Sequence, residues 1–168
     1  MNINSENPVN RRILIIDDNR AIHDDFRKIL TPQRPVNAAL DAMEDALFGD
    51  TPDDVKKDLF EISSAYQGRE AYESVVRALE SGNPFAMAFV DVRMPPGWDG
   101  VETISRMWEK APDLQVVICS AYSDYSWEQI IEKLGQSERL LILRKPFDPE
   151  EVLQLASRLT EKWSQQKL

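Results

Sequence analysis

Four short segments carry side chains that suit one chemistry: Ile15-Ile16-Asp17-Asp18, Phe89-Val90-Asp91, Ile118-Cys119-Ser120-Ala121 and Leu143-Arg144-Lys145-Pro146. Each follows or ends a run of β-branched and aliphatic residues, and in order they supply an acidic pair, a lone acid, a hydroxyl and a lysine. Clustered carboxylates hold a divalent cation, while a hydroxyl and an ammonium bind an anionic group beside it. The combination points to phosphoryl chemistry on a carboxylate. The condition is that the four segments meet, which they do if each ends a strand of one parallel sheet, because the carboxyl ends of such strands share a crevice.

The intervening sequence predicts such a sheet. Apolar runs at Ile13–Ile16, Ala86–Val92, Leu114–Cys119 and Leu140–Leu143 read as buried strands, and Phe60-Glu61-Ile62 as a short, weaker one. Helical spacing follows at 21–30, at 68–79 (apolar face Ala71, Tyr72, Val75, Val76, Leu79), at 101–109 and at 127–134, the last stopping at Gly135. The final helix starts at Asp148-Pro149-Glu150, with Asp148 as its cap and Val152, Leu155, Ala156, Leu159 and Trp163 on its apolar face. Strand and helix in alternation specify a doubly wound α/β fold. One stretch departs from it. Between Thr31 and Asp58, Val36, Leu40, Met43, Leu47 and Phe48 predict an amphipathic helix over 37–48 whose other side carries Asp41, Glu44 and Asp45. That insert either elaborates its own domain or faces a partner or a second copy. Residues 1–10 are polar and expected to be flexible.

Composition narrows the function. A net charge of −9 argues against a nucleic-acid surface, and no apolar run approaches the ~20 residues that cross a bilayer. Cys119 is the sole cysteine, which fits a reducing compartment, and a cytoplasmic location is expected.

Four such sites in this order, each after its own strand, resemble the receiver domain of two-component response regulators. The resemblance runs from about Arg12 to Trp163 apart from the insert, and places the domain at 11–163 (insert about 31–58), with 164–168 a tail or the start of a linker helix. It implies a flavodoxin-like, five-stranded parallel sheet of strand order 2-1-3-4-5. Asp91 matches the phosphoacceptor, Asp17 and Asp18 the acidic pair that holds Mg²⁺ together with Asp91, and the Arg93 backbone carbonyl a further ligand. Ser120 matches the hydroxyl that bonds a phosphoryl oxygen. Lys145 matches the lysine that pairs with the acceptor, and Pro146 the proline after it, with a cis peptide bond. The implied protein is a signalling switch rather than an enzyme. It would receive its phosphoryl group from a histidine kinase or phosphotransfer protein, and the resemblance extends to receivers fused ahead of kinase or cyclic-di-nucleotide domains. A larger protein is therefore expected, and a homodimer is compatible with it.

The pattern departs from the family in two places. Pro95-Pro96-Gly97-Trp98-Asp99-Gly100 carries one residue more than the usual loop, and Trp98 is expected to pack on the neighbouring surface. Ile142 stands where many receivers place a switching aromatic residue, leaving Tyr122 and Tyr125 to take over part of that motion. These departures sustain an alternative, a receiver fold used as an interaction or dimerisation module without phosphorylation. A haloacid-dehalogenase-type phosphatase is disfavoured, since Arg93 and Asn19 stand where its second aspartate would fall after Asp91 or Asp17. His23, outside any metal-ligand spacing, reads as an ordinary surface or half-buried residue.

Overall fold

The computed structural model describes residues 9–31, 60–92, 97–120, 127–135 and 139–166. In chain order these form β1 (Arg12–Ile16), α1 (Arg20–Leu30), β2 (Glu61–Ala65), α2 (Gly68–Glu80), β3 (Met87–Asp91), α3 (Gly100–Lys110), β4 (Gln115–Ser120), α4 (Trp127–Leu134), β5 (Leu140–Arg144) and α5 (Pro149–Gln166). The strands make one parallel sheet in the order β2-β1-β3-β4-β5. The expected helix over 37–48 lies outside the described residues, as do Arg93, Tyr122 and Tyr125.

The period-two alternation of side chains divides the central strands between two cores. Leu14 and Ile16, Ala88 and Val90, and Val116 and Ile118 pack with Val75, Ile104, Met107 and Ile130, under α2, α3 and α4. Ile13 and Ile15, Met87 and Phe89, and Val117 and Cys119 face the opposite way, toward Phe26 and Leu30 of α1 and Val152, Ala156 and Leu159 of α5. A strand covered on both faces has no polar side, which is why these runs are continuously apolar.

Helix ends follow local chemistry. The Asn19 side chain accepts from the Ala21 amide and Asp99 from the Glu102 amide, capping α1 and α3. Asp148 accepts from the Glu150 amide at 3.0 Å, with Pro149 as the first helical residue, as the sequence predicts. Past α4, Gly135 adopts φ +79°, a left-handed conformation that costs glycine least.

Two expectations are corrected. The second strand is longer than Phe60–Ile62. Its polar Ser63 and Ser64 stay in the ladder because Arg12–Ile16 pair with Glu61–Ala65 residue for residue, and partner hydrogen bonds outweigh weak strand propensity. On α2 the buried position near the end is Ala78, not Leu79, which is 39% exposed. Ala78 packs in the core cluster with Val75 and Phe85, while Leu79 faces away from it.

Candidate functional site at the carboxyl edge of the sheet

The strand ends deliver the predicted side chains to one place. Asp17 follows β1, and its amide donates to the Ala65 carbonyl, so the backbone is still held by β2. Asp91 is the last residue of β3, in register with Cys119 of β4, and the Lys145 amide donates to the Ser120 carbonyl at 2.9 Å. Ligand oxygens of Asp17, Asp18 and Asp91 all lie within 4.8 Å of one another. Asp17 and Asp91 are buried and Asp18 is exposed, so the cluster opens to solvent on one side. The Lys145 ammonium donates to Asp91 Oδ1 at 3.0 Å and lies 3.5 Å from Asp17 Oδ2.

Charge is crowded here. Burial, then the neighbouring Asp17 carboxylate, push the Asp91 carboxyl up from 3.8 to about 6 despite the hydrogen bond from Lys145. Burial also raises Asp17, opposed by the Asn19 amide and Lys145. Burial works against the Lys145 ammonium, but the hydrogen bond to Asp91 and the charges of Asp17 and Asp91 prevail, holding its pKa above the ordinary lysine value. One lysine does not balance these acids. The remaining donor set is hard carboxylate oxygen open to water, which is what Mg²⁺ takes. The residues therefore fit that ion.

Ser120 is buried at the end of β4, one strand from Asp91 and bonded through its carbonyl to Lys145. The Lys145–Pro146 peptide is cis, as expected. Phe147 then stacks on Phe26 (4.9 Å between centroids), which stacks on Phe89 (4.7 Å), so aromatic packing ties the lysine loop to β3. Trp98 packs as expected, edge-on to Tyr72 with the Arg106 guanidinium 4.8 Å above its ring. Ile142 is partly buried against the core under α2, α3 and α4.

The sequence reading missed two features. Phe147 carries an apolar signal next to a recognised motif and was legible in principle. His23 was not: it is 1% exposed, with Nε2 2.7 Å from the Asp17 carbonyl and Nδ1 2.9 Å from Ser64 Oγ. Both partners come through the fold, and the expectation of a surface or half-buried residue is corrected. Burial lowers its pKa, opposed by the bond to the Asp17 carbonyl and reinforced by Arg27 and Arg20. Beside the acids, Cys119 is 2% exposed, and burial drives its thiol far above the usual range.

A five-stranded parallel sheet of this order, with acids and a lysine at its carboxyl edge, defines a CheY-like module. The chain belongs to the response regulator receiver domain family, whose family model matches residues 54–157. It is 28% identical over 92 residues to the Bacillus subtilis "Uncharacterized transcriptional regulatory protein YesN", a match spanning 55% of this chain and 23% of that relative's length. The REC domain of AraT, a response regulator from Geobacillus stearothermophilus, superposes with a TM-score of 0.64 at 23% identity, over 95% of this chain and 99% of that one. The N-terminal domain of a response regulator/sensory box/GGDEF 3-domain protein from Carboxydothermus hydrogenoformans gives 0.61 at 16% identity, over 94% and 99%. Receiver domains of two-component systems are signalling domains rather than classical enzymes, and they bind Mg²⁺ at an acidic pocket. No helix among the described residues is long and apolar enough to cross a membrane.

Proposed function

We propose that Asp91 is a phosphoacceptor in two-component signalling, and that Mg²⁺ is held by Asp17, Asp18 and Asp91 with the Arg93 carbonyl as a further ligand. The observation that carries this reading is the Lys145 ammonium 3.0 Å from Asp91 Oδ1, with the Asp17 and Asp18 carboxylates within 4.8 Å. A carboxylate oxygen of Asp91 attacks the phosphorus of a phosphohistidine or a small phosphodonor. The new O–P bond forms as the P–N bond, or the donor's P–O bond, breaks, and the leaving group departs on the opposite side. Mg²⁺ held by these carboxylates would supply screening of the repulsion between the Asp91 carboxylate and the incoming phosphoryl group. Lys145 exchanges its bond to Asp91 for one to the phosphoryl group, and the Ser120 hydroxyl donates to another phosphoryl oxygen.

In this reading the receiver unit spans 11–163 with 31–58 inserted, in the cytoplasm. The donor is a histidine kinase or phosphotransfer protein. The output is a fused domain, in line with the GGDEF-containing protein among the structural relatives. Incubation with acetyl phosphate and Mg²⁺ is expected to add one phosphoryl group by intact mass, and none to Asp91→Asn. Beryllofluoride with Mg²⁺ is expected to change the tryptophan fluorescence. No mass gain together with unchanged fluorescence would overturn the reading in favour of a constitutive interaction module.

A further inference from the structure

We propose that His23 is a positioning residue for the acidic pair, holding the Asp17–Asp18 peptide so that both carboxylates are set for a divalent cation before one arrives. The inference rests on the reading that Asp17, Asp18 and Asp91 hold such a cation.

The hydrogen bonds form a directed chain. Arg27 Nη2 lies 2.7 Å from Ser64 Oγ, Ser64 Oγ 2.9 Å from His23 Nδ1, and His23 Nε2 2.7 Å from the Asp17 carbonyl. A carbonyl only accepts, so Nε2 carries the hydrogen. A guanidinium only donates, so Ser64 accepts from Arg27 and has its one hydrogen left for Nδ1. Each group in the chain is thereby satisfied by a neutral imidazole, and such chains strengthen along their length. Tyr66 packs 4.5 Å from the imidazole, and the Arg20 guanidinium lies 4.3 Å over the tyrosine ring.

The chain ends on the atom that matters for the site. The Asp17 carbonyl and the Asp18 amide belong to one planar peptide, so the orientation of that plane fixes where Asp18 leaves the backbone. The Asp17 amide is already bonded to Ala65 and Asp17 Oδ1 accepts from the Asn19 amide at 2.9 Å. His23 adds the restraint on the following peptide, which takes no ladder bond among the described residues once β1 has ended. β2 supplies both anchors, the Ala65 carbonyl and the Ser64 hydroxyl. An apolar side chain would fill the same buried space without needing partners. The polar one earns its place by holding that carbonyl.

The test compares the wild type with His23→Phe, His23→Gln and Ser64→Ala, by calorimetric titration with MgCl₂ and by amide exchange of Asn19 in the metal-free protein. Phenylalanine keeps the ring packing on Tyr66 and removes the donor, so His23→Phe should bind Mg²⁺ about tenfold more weakly, as loss of a group that orients a ligand does. Glutamine carries an N–H to a similar reach and should recover most of that loss. Ser64→Ala, which leaves His23 in place without its support, should fall between the wild type and His23→Phe and carries the test if the phenylalanine variant does not fold. Asn19 exchange should accelerate in His23→Phe and stay near the wild-type rate in His23→Gln. Wild-type affinity in His23→Phe, or equal impairment in His23→Phe and His23→Gln, would overturn the proposal. Absence of Mg²⁺ binding by the wild type would count against the metal-site reading instead, and Asn19 exchange would still decide the role of His23.

Discussion

Replacing Asp91 by asparagine should make the metal-free protein more stable, although it removes the residue on which the proposed function turns. Folding lifts the Asp91 carboxyl from 3.8 to about 6. At about 1.4 kcal/mol for each tenfold change in proton affinity, keeping it ionised costs the fold about 3 kcal/mol at pH 7. Asparagine has the shape of the protonated acid and escapes that cost, which corresponds to a rise of roughly 6–12 °C in melting midpoint for a chain of this size. The sign follows from proton binding. Between about pH 4 and 6 the folded protein holds a proton that the unfolded chain has released, so wild-type stability falls as pH rises through that window. The difference between variant and wild type should therefore be near zero below the window and complete above it. His23, whose pKa burial lowers, acts with the opposite sign: its contribution is present above pH 6.5 and is lost as pH falls below it. It is common to both proteins and cancels in the difference. Urea unfolding in chelator across pH 4–8 measures the curve. Excess Mg²⁺ should then narrow or reverse the difference, because the wild type offers all three carboxylates and gains more binding free energy than the variant. A difference that is absent, opposite in sign or independent of pH in chelator would refute the argument.

Lys145→Met removes the cation 3.0 Å from Asp91 and 3.5 Å from Asp17, so the Asp91 carboxyl should titrate above about 6 in carboxyl-carbon NMR without metal; a value at or below that would contradict the charge balance described here. Gly100→Ala drives a Cβ into the Asp91 carbonyl oxygen and places it 2.9 Å from the Val92 Cα, backbone atoms held by the Gly100–Val92 hydrogen bond, and should cost about 1–3 kcal/mol in urea unfolding. A loss under about 0.5 kcal/mol would show that the loop yields.

The fold was legible where burial leaves a mark on composition. β3 and β4 are covered on both faces, and their apolar runs announce them. β2 was harder to read because it lies at the sheet edge and uses Ser63 and Ser64 within the ladder, so its extent is set by pairing with β1 rather than by its own residues. At the end of α2, Ala78 and Leu79 are both apolar, so residue type does not decide which is buried, and the packed structure buries Ala78. At the candidate site, the acids and the lysine were legible because strand-end position and residue type coincide. His23 was not, because a backbone carbonyl leaves no trace in a sequence and Ser64 lies 41 positions away. Charge patterning could not have revealed a buried imidazole whose role is geometric.

Cys119 gives the molecule a built-in clock. Its thiol is 2% exposed, sits in register with Asp91 at the centre of the sheet, and is held strongly against ionisation. The thiol faces the core under α1 and α5, so a thiol-specific reagent reaches it only when that core opens, and the labelling rate counts core openings rather than surface fluctuations. Because the chain has no other cysteine, the signal belongs to that one strand. Occupation of the neighbouring carboxylates by a cation or a phosphoryl group would then register as a slowing of chemistry at a sulfur atom that touches neither.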